Sequence, residues 1–94
     1  MIEIEIVYIR KIKDYHYLFK TIDKRDIVYY MIHAPELDNY DLCLYTFIIN
    51  CYNDISYYSY HTVSIIDSNK ISIDILCGIT ILLEEDVMNL MLQE

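Results

Sequence analysis

Apolar and polar residues alternate at the start of the chain. The first six residues place isoleucine at every second position, with glutamate between them. This is the period-two pattern of a strand with one face in water. We predict an edge strand, because charged side chains on an edge discourage unwanted pairing. The basic cluster at residues 10–13 then predicts a turn, and residues 15–22 predict a second strand.

A helix is predicted over residues 24–33. Asp23 is a suitable N-cap, and Asp26 adds negative charge in the first turn, where the helix dipole favours it. Pro35 ends the helix, since the residue before a proline avoids the α region. The apolar face of this helix consists of Ile27, Tyr30, Met31 and Ala34.

Residues 38–52 fit two patterns. Leu42, Tyr45, Ile49 and Tyr52 recur at helical spacing behind an Asp38 or Asn39 cap. Residues 44–49 are also rich in the β-branched and aromatic side chains that prefer strands. The length of the segment favours the helix over the strand.

A β-hairpin is predicted near the C-terminus. Residues 55–66 read as a strand, or as a loop leading into one, and a second apolar run begins at residue 71. Val63 and Ile65 share a face with the second run only if the loop has an odd number of residues. We therefore predict a loop over Ser68 to Lys70 with Asn69 left-handed. The only glycine, Gly78, predicts a bulge or bend.

The last element is predicted to be a helix with an acidic first turn. Glu84, Glu85 and Asp86 suit the positive end of the helix dipole, and the apolar face follows with Val87, Leu90 and Met91. Together these elements predict one α+β domain over residues 1–94. It has an antiparallel sheet of about four strands and two or three helices packed on one face.

Composition narrows the classes of partner. The net charge of −8 disfavours direct binding of nucleic acid and favours a protein with a basic surface. The uncharged stretches are too short to span a bilayer, so no membrane contact is expected. The acidic start is unlike a secretory signal, and the mature chain is expected to begin at Met1. Three cysteines are too few for a disulfide framework, which predicts a cytoplasmic location.

The sequence carries no motif for catalysis, a cofactor or a metal. No cysteine lies beside a cationic residue that would activate its thiol. Cys43 and Cys51 are eight residues apart, which is more than 10 Å on a helix and too far to share one zinc ion. A single glycine cannot form a phosphate-binding loop. We therefore expect neither an enzyme nor a cofactor.

A tyrosine-rich segment supplies the candidate binding site. Residues 52–61 use the Tyr, Ser and Asn that antibody loops use to bind proteins. The alternative is that these rings pack on the sheet with their hydroxyls in water. Alternation would place Tyr58 and Tyr60 on one face and Tyr57 on the other. The predicted partner-binding residues are Tyr52, Asn53, Asp54, Tyr57, Tyr58 and Tyr60, together with the acidic residues Glu84, Glu85 and Asp86.

These observations favour a non-enzymatic binding or inhibitor protein. Residues with AT-rich codons dominate, except for lysine, so the acidity looks selected and a virus or phage is the expected source. The partner would be a host protein whose basic, nucleic-acid-handling or defence surface is blocked. One alternative is a homo-oligomeric structural or accessory subunit, such as a homodimer. Another is a small-molecule-binding protein or small enzyme with a site between protomers.

Overall fold

The chain forms a closed antiparallel barrel. Within residues 1–22 and 25–93, which the computed structural model describes, six strands follow the neighbour order β1-β2-β3-β6-β5-β4, and β4 pairs back onto β1. The predicted α+β fold is therefore wrong. The strands are β1 (Ile2–Lys13), β2 (His16–Thr21), β3 (Tyr29–His33), β4 (Thr46–Cys51), β5 (Tyr58–Ile66) and β6 (Ser72–Leu82), and one α-helix, α1 (Glu84–Leu92), follows them.

The first strand is not an edge. It pairs with β4 over residues 2–6 and with β2 over residues 6–13, so it has a partner on each side. Its predicted turn at residues 10–13 is also wrong, since β1 continues to Lys13. The predicted strand over residues 15–22 is confirmed as β2.

Alternation along the strands fills the barrel interior. In β4, Phe47, Ile49 and Cys51 are buried, and the residues between them are more exposed. Phe47 meets Phe19 of β2 edge to face across the interior, with ring centroids 4.9 Å apart. The buried strand residues of the core cluster are Ile6, Tyr17, Phe19, Tyr30, Ile32, Phe47, Ile49, Cys51, Val63, Ile65, Cys77 and Ile79.

The predicted helix over residues 24–33 is wrong where the structure describes it. Residues 29–33 form β3 between β2 and β6. Tyr30 and Ile32 are buried, and the residues that flank them are only half-buried. Of the predicted helical face, Tyr30 is buried, whereas its neighbour Met31 is half-buried on the opposite face of the strand, so the helical spacing does not hold. The expected cap, Asp23, lies outside the described residues.

The helical interpretation of residues 38–52 is also wrong. Two short 3-10 helices, Pro35–Asn39 and Leu42–Leu44, cover one end of the barrel, and β4 follows them. Leu37 and Leu42 are buried there and join the core cluster. The side chain of Asp41 accepts a hydrogen bond from the backbone of Cys43 at 3.4 Å, which caps the second 3-10 helix.

The predicted β5–β6 hairpin is confirmed. Val63 lies opposite Ile75, and Ile65 lies opposite Ile73, as the odd loop required. Asp67 and Ile71 are joined by a backbone hydrogen bond, which leaves residues 68–70 as the loop. The left-handed residue is Lys70, with φ of 68°, and not Asn69.

The predicted bulge at Gly78 is wrong. Gly78 pairs in regular register with His33 on one side and Tyr60 on the other. The irregularities of the barrel lie in β1, where the pairing with β2 shifts between Tyr8 and Arg10 and again between Lys11 and Lys13. The first shift places Lys11 opposite Tyr17, an inward-facing core residue. A bulge thus turns a basic side chain toward the mouth of the barrel.

The predicted terminal helix is confirmed as α1, and it packs on the outside of the barrel. Leu18 points outward from β2, since its neighbours Tyr17 and Phe19 face the core, yet it is fully buried. Val87 of α1 is also buried. A groove of about 400 Å³ is shared by helix residues and strand residues, including Ile9 and Tyr29. The helix therefore covers the outer face of β1–β3.

The barrel has two ends with different connections. Met1, the described part of the β2–β3 connection, residues 52–57 and the start of α1 lie at one end, called here the N-terminal end. The opposite end carries the β1–β2 turn, residues 34–45 and the β5–β6 loop. None of the helices in residues 1–22 and 25–93 is long and apolar enough to cross a membrane.

Candidate protein-binding surface

Four exposed tyrosines lie at or near the N-terminal end of the barrel. Tyr52 and Tyr57 belong to the β4–β5 loop, and each is 82% exposed. Tyr58 and Tyr60 lie at the start of β5 and are 45% and 64% exposed. We call Tyr52, Tyr57, Tyr58 and Tyr60 the tyrosine cluster. Asn53 and Asp54 are exposed in the same loop.

The loop is held by one apolar residue. Ile55 is buried in the core cluster, and the residues on both sides of it are exposed. A buried anchor in the middle of a short loop restricts the positions that its flanking tyrosines can reach. The tyrosine rings are therefore presented to solvent from a loop that is fixed to the barrel.

Tyr58 and Tyr60 form an aromatic pair on the outer face of β5. Their ring planes are nearly perpendicular, and their centroids are 5.5 Å apart. The Tyr58 hydroxyl donates to that of Tyr60 at 3.4 Å, and this hydrogen bond is the main reason that the pKa of Tyr58 is raised. The two tyrosines share a face, as alternation predicted.

The Tyr58 ring lies over Gly78. Tyr60 is directly opposite Gly78 in the sheet, and a Cβ at position 78 would overlap the Tyr58 hydroxyl. An aromatic ring placed across a strand glycine covers backbone that would otherwise be exposed to solvent. Gly78 therefore provides space for the Tyr58–Tyr60 pair and does not produce a bend in the strand.

We expect Gly78→Ala to move Tyr58 without unfolding the barrel. The new methyl group displaces the Tyr58 ring, which is half-exposed and can swing outward, while alanine lowers the entropy cost of a strand glycine. Unfolding in urea should stay within about 1 kcal/mol of wild type. The pKa of Tyr58 should fall toward its ordinary value, because the hydrogen bond to Tyr60 is lost.

The Gly78→Ala prediction is checked by NMR of the tyrosine rings. Tyr60→Phe is the matched control, since it removes the same hydrogen bond and leaves Gly78 unchanged. Ring signals of Tyr58 that stay at their wild-type positions in Gly78→Ala would show that the ring does not cover the glycine.

The predicted acidic residues are exposed in the first turn of α1. Glu84, Glu85 and Asp86 all reach solvent, at the positive end of the helix dipole. Glu84 lines a surface cleft together with Asp26 of the β2–β3 connection. Asp26 lines a second cleft with two glutamates of β1. The resulting acidic band consists of Glu3, Glu5, Asp26, Glu84, Glu85 and Asp86.

The acidic band and the tyrosine cluster share one end of the barrel but use different elements. The structure brings Tyr58 and Tyr60 together, and it places the predicted helix acids on the far side of β6. Glu3, Glu5 and Asp26 were not predicted from the sequence as members of the band. The alternation of glutamates at residues 3 and 5 was the available signal. It became informative only once the pairing of β1 with β2 had placed the two glutamates beside the β2–β3 connection.

One serine–histidine contact is present. Ser59 Oγ lies 2.7 Å from His61 Nε2, and both side chains are half-buried on β5. No carboxylate is hydrogen-bonded to His61 among the described residues, so the orienting group of a catalytic triad is not present there. Cys51 and Cys77 are buried, and burial raises the pKa of each thiol. No group of three potential metal ligands occurs within the described ranges.

Comparison with protein-family models, with curated proteins and with solved structures finds no match.

Proposed function

We propose that this chain is a non-enzymatic binding protein whose N-terminal barrel end docks onto a basic protein surface. The observation that carries the proposal is that exposed tyrosines and concentrated negative charge lie at the same end of the barrel. Among the described residues, this end carries seven acidic side chains and three positive groups, which are Lys20, Arg25 and the terminal amine. The seven are Glu3, Glu5, Asp26, Asp54, Glu84, Glu85 and Asp86.

The two features have different roles in docking. Carboxylates on a protein of net charge −8 attract a basic partner and speed its approach. Tyrosines then provide contact area, because a large amphipathic ring loses little side-chain entropy when it binds. Tyrosine is also enriched among residues that dominate binding energy at interfaces. An acidic surface of this kind competes with nucleic acid for cationic sites.

The class of partner follows from this competition. We propose a host protein that handles nucleic acid or takes part in defence, with this chain encoded by a virus or phage. The chain is rich in amino acids that AT-rich codons encode, yet it has no excess of lysine, and this composition supports that origin. The second candidate function is a homodimer, supported by exposed apolar side chains on α1, where Met88 is 62% and Leu92 is 80% exposed.

We expect capture of the partner from a host lysate at low salt, with recovery falling as salt screens the charges. Changing Tyr52, Tyr57 and Tyr60 to serine together should weaken binding at least tenfold, mainly through faster dissociation. Neutralising Glu84, Glu85 and Asp86 as amides should slow association and flatten the salt dependence. Surface plasmon resonance with the captured protein separates the two rates.

Two controls make this test decisive. Tyr15→Ser changes an exposed tyrosine at the opposite end and should bind as wild type does. Thermal unfolding should show Tyr15→Ser and the triple serine variant within about 0.5 kcal/mol of wild type, as expected for surface substitutions. Capture that persists in the triple serine variant would refute docking through the tyrosine cluster. A chain that runs at twice its mass, with no captured partner, would support the homodimer instead.

A further inference from the structure

A cavity of about 330 Å³ lies at the opposite end of the barrel, away from the tyrosine cluster. Strands β1 and β2 form one wall, and residues 37–43 form the other. Three tyrosines and two aspartates line the cavity, namely Tyr8, Tyr17, Tyr40, Asp38 and Asp41. Its size lies at the lower end of the range for small-molecule sites.

Tyr17 lines this cavity and carries a hydroxyl that has no hydrogen-bond partner among the described residues. The residue is 2% exposed, and its hydroxyl is buried. Buried polar groups in folded proteins are nearly always paired, and an unpaired one is costly. A phenylalanine would fill the same space without that cost. The hydroxyl is therefore suited to a group that comes from outside the chain.

The cavity already attracts a positive charge. The bulge in β1 turns Lys11 inward, and its Nζ lies over the Tyr17 ring, 5.9 Å from the centroid. The same Nζ lies 3.3 Å from an Asp38 carboxylate oxygen and 3.8 Å from Asp14. A cation over a tyrosine face and beside a carboxylate is favourable. Lys11 is nevertheless partly in water, with 42% of its side chain exposed, so it can move aside.

We propose that this cavity binds a guanidinium group, which takes the position of the Lys11 ammonium over Tyr17. A guanidinium is planar and stacks on aromatic faces. Its N–H groups can donate to the Tyr17 hydroxyl and to the carboxylates of Asp38 and Asp41. A quaternary ammonium would fit the rings but would leave the Tyr17 hydroxyl unpaired. The site lies apart from the docking end, so it stands independently of the proposed function.

Cys43 provides a reporter at the edge of the cavity. It lines the cavity and is exposed, whereas the two other cysteines of the chain are buried. A trifluoromethyl label on Cys43 can therefore be followed by fluorine NMR in the folded protein. Titration with n-butylguanidinium should shift this signal with Kd on the order of 1 mM, as suits a ligand of few atoms. The tripeptide Gly-Arg-Gly tests whether an arginine side chain of a protein can supply the same group.

Two variants give opposite expected results. Tyr17→Phe should weaken n-butylguanidinium binding roughly tenfold, because a hydrogen bond to a charged group is lost. The same variant should raise the Tm of the ligand-free protein by about 4 °C, because the unpaired hydroxyl is gone. Lys11→Gln should tighten binding severalfold, since it removes the competing ammonium. Tyr29→Phe, a half-buried tyrosine outside the cavity, is the control and should change neither quantity.

Ligands of matched size test the charge of the site. Butyrate should not bind, and tetramethylammonium should bind more weakly than n-butylguanidinium. Butyrate binding that disappears in Lys11→Gln would overturn the proposal, because the cavity would then be an anion site built on Lys11. Absence of any n-butylguanidinium binding at about 50 mM, far above the Kd expected for such a ligand, would overturn it as well.

Discussion

Replacing Phe47 with alanine should destabilise the barrel by about 3–5 kcal/mol, which is a large part of the total stability of a small domain. Phe47 has no exposed surface and lies between Ile6 of β1 and Ile65 of β5 in the sheet. Its ring also meets Phe19 edge to face from across the interior. Truncation removes this contact and leaves a cavity that strands joined in a closed ring cannot collapse to fill.

Urea unfolding followed by circular dichroism measures this loss. Phe47→Leu keeps most of the apolar volume and should cost clearly less than alanine. Tyr57→Ala removes an aromatic ring that is 82% exposed and should change stability by less than about 0.5 kcal/mol. A Phe47→Ala variant as stable as Tyr57→Ala would mean that the side chain at position 47 does not fill the barrel.

The second large effect concerns Cys77 at alkaline pH. Burial, together with the negative charge of Glu36, raises the pKa of the Cys77 thiol from 9.0 to about 12. Below pH 9 the thiol is protonated in the folded and unfolded chains, so it does not change the free energy of unfolding. Between pH 9 and 12 the unfolded chain releases this proton while the folded chain keeps it. Stability should therefore fall by about 1.4 kcal/mol per pH unit in that window.

Cys77→Val isolates this effect from the ionisation of tyrosines. The variant retains an apolar side chain of similar size and removes the titrating thiol. Its stability should decline less steeply between pH 9 and 12 than that of wild type, by about 1.4 kcal/mol per pH unit. Identical pH profiles for the two proteins would show that Cys77 does not titrate differently in the folded and unfolded chains. Iodoacetamide offers a second measurement, because the native protein should be labelled at exposed Cys43 and protected at Cys77.

The local sequence pattern was sufficient to predict strand pairing where the two strands are close together in the sequence. The β5–β6 hairpin joins segments separated by a short loop, so the parity of that loop determined which residues face each other. The acidic first turn of α1 is likewise a local feature, and it was predicted correctly. Lys70 took the left-handed conformation predicted for Asn69, one residue earlier in the same loop.

The local sequence pattern predicted the wrong element where pairing with a strand distant in the sequence determines the structure. Tyr30, Met31 and Ala34 satisfy helical spacing, yet β3 is stabilised by β2 on one side and by β6, about fifty residues away, on the other. β4 is similarly fixed by pairing with β1 and β5. A barrel supplies such pairing to every strand, so tertiary contacts override weak helical preferences.

The candidate surface was predicted in part. The tyrosines and the α1 acids that the sequence suggested are exposed, and they form separate groups on the molecule. The acidic band could be predicted only by knowing that β1 and the β2–β3 connection lie side by side at the same end of the barrel. The position of Lys11 over Tyr17 depends on a bulge, and no glycine or proline marks that bulge in the sequence.

The barrel consists of two three-stranded meanders, β1-β2-β3 and β4-β5-β6, joined through residues 34–45. Each meander has two outer strands, and each of these finds its partner in the other meander: β1 with β4, and β3 with β6. Neither half can therefore satisfy its backbone alone. During synthesis on the ribosome, the first half emerges with two unpaired rows of amides and carbonyls. It is protected from aggregation only after the second half has been synthesised and has paired with it.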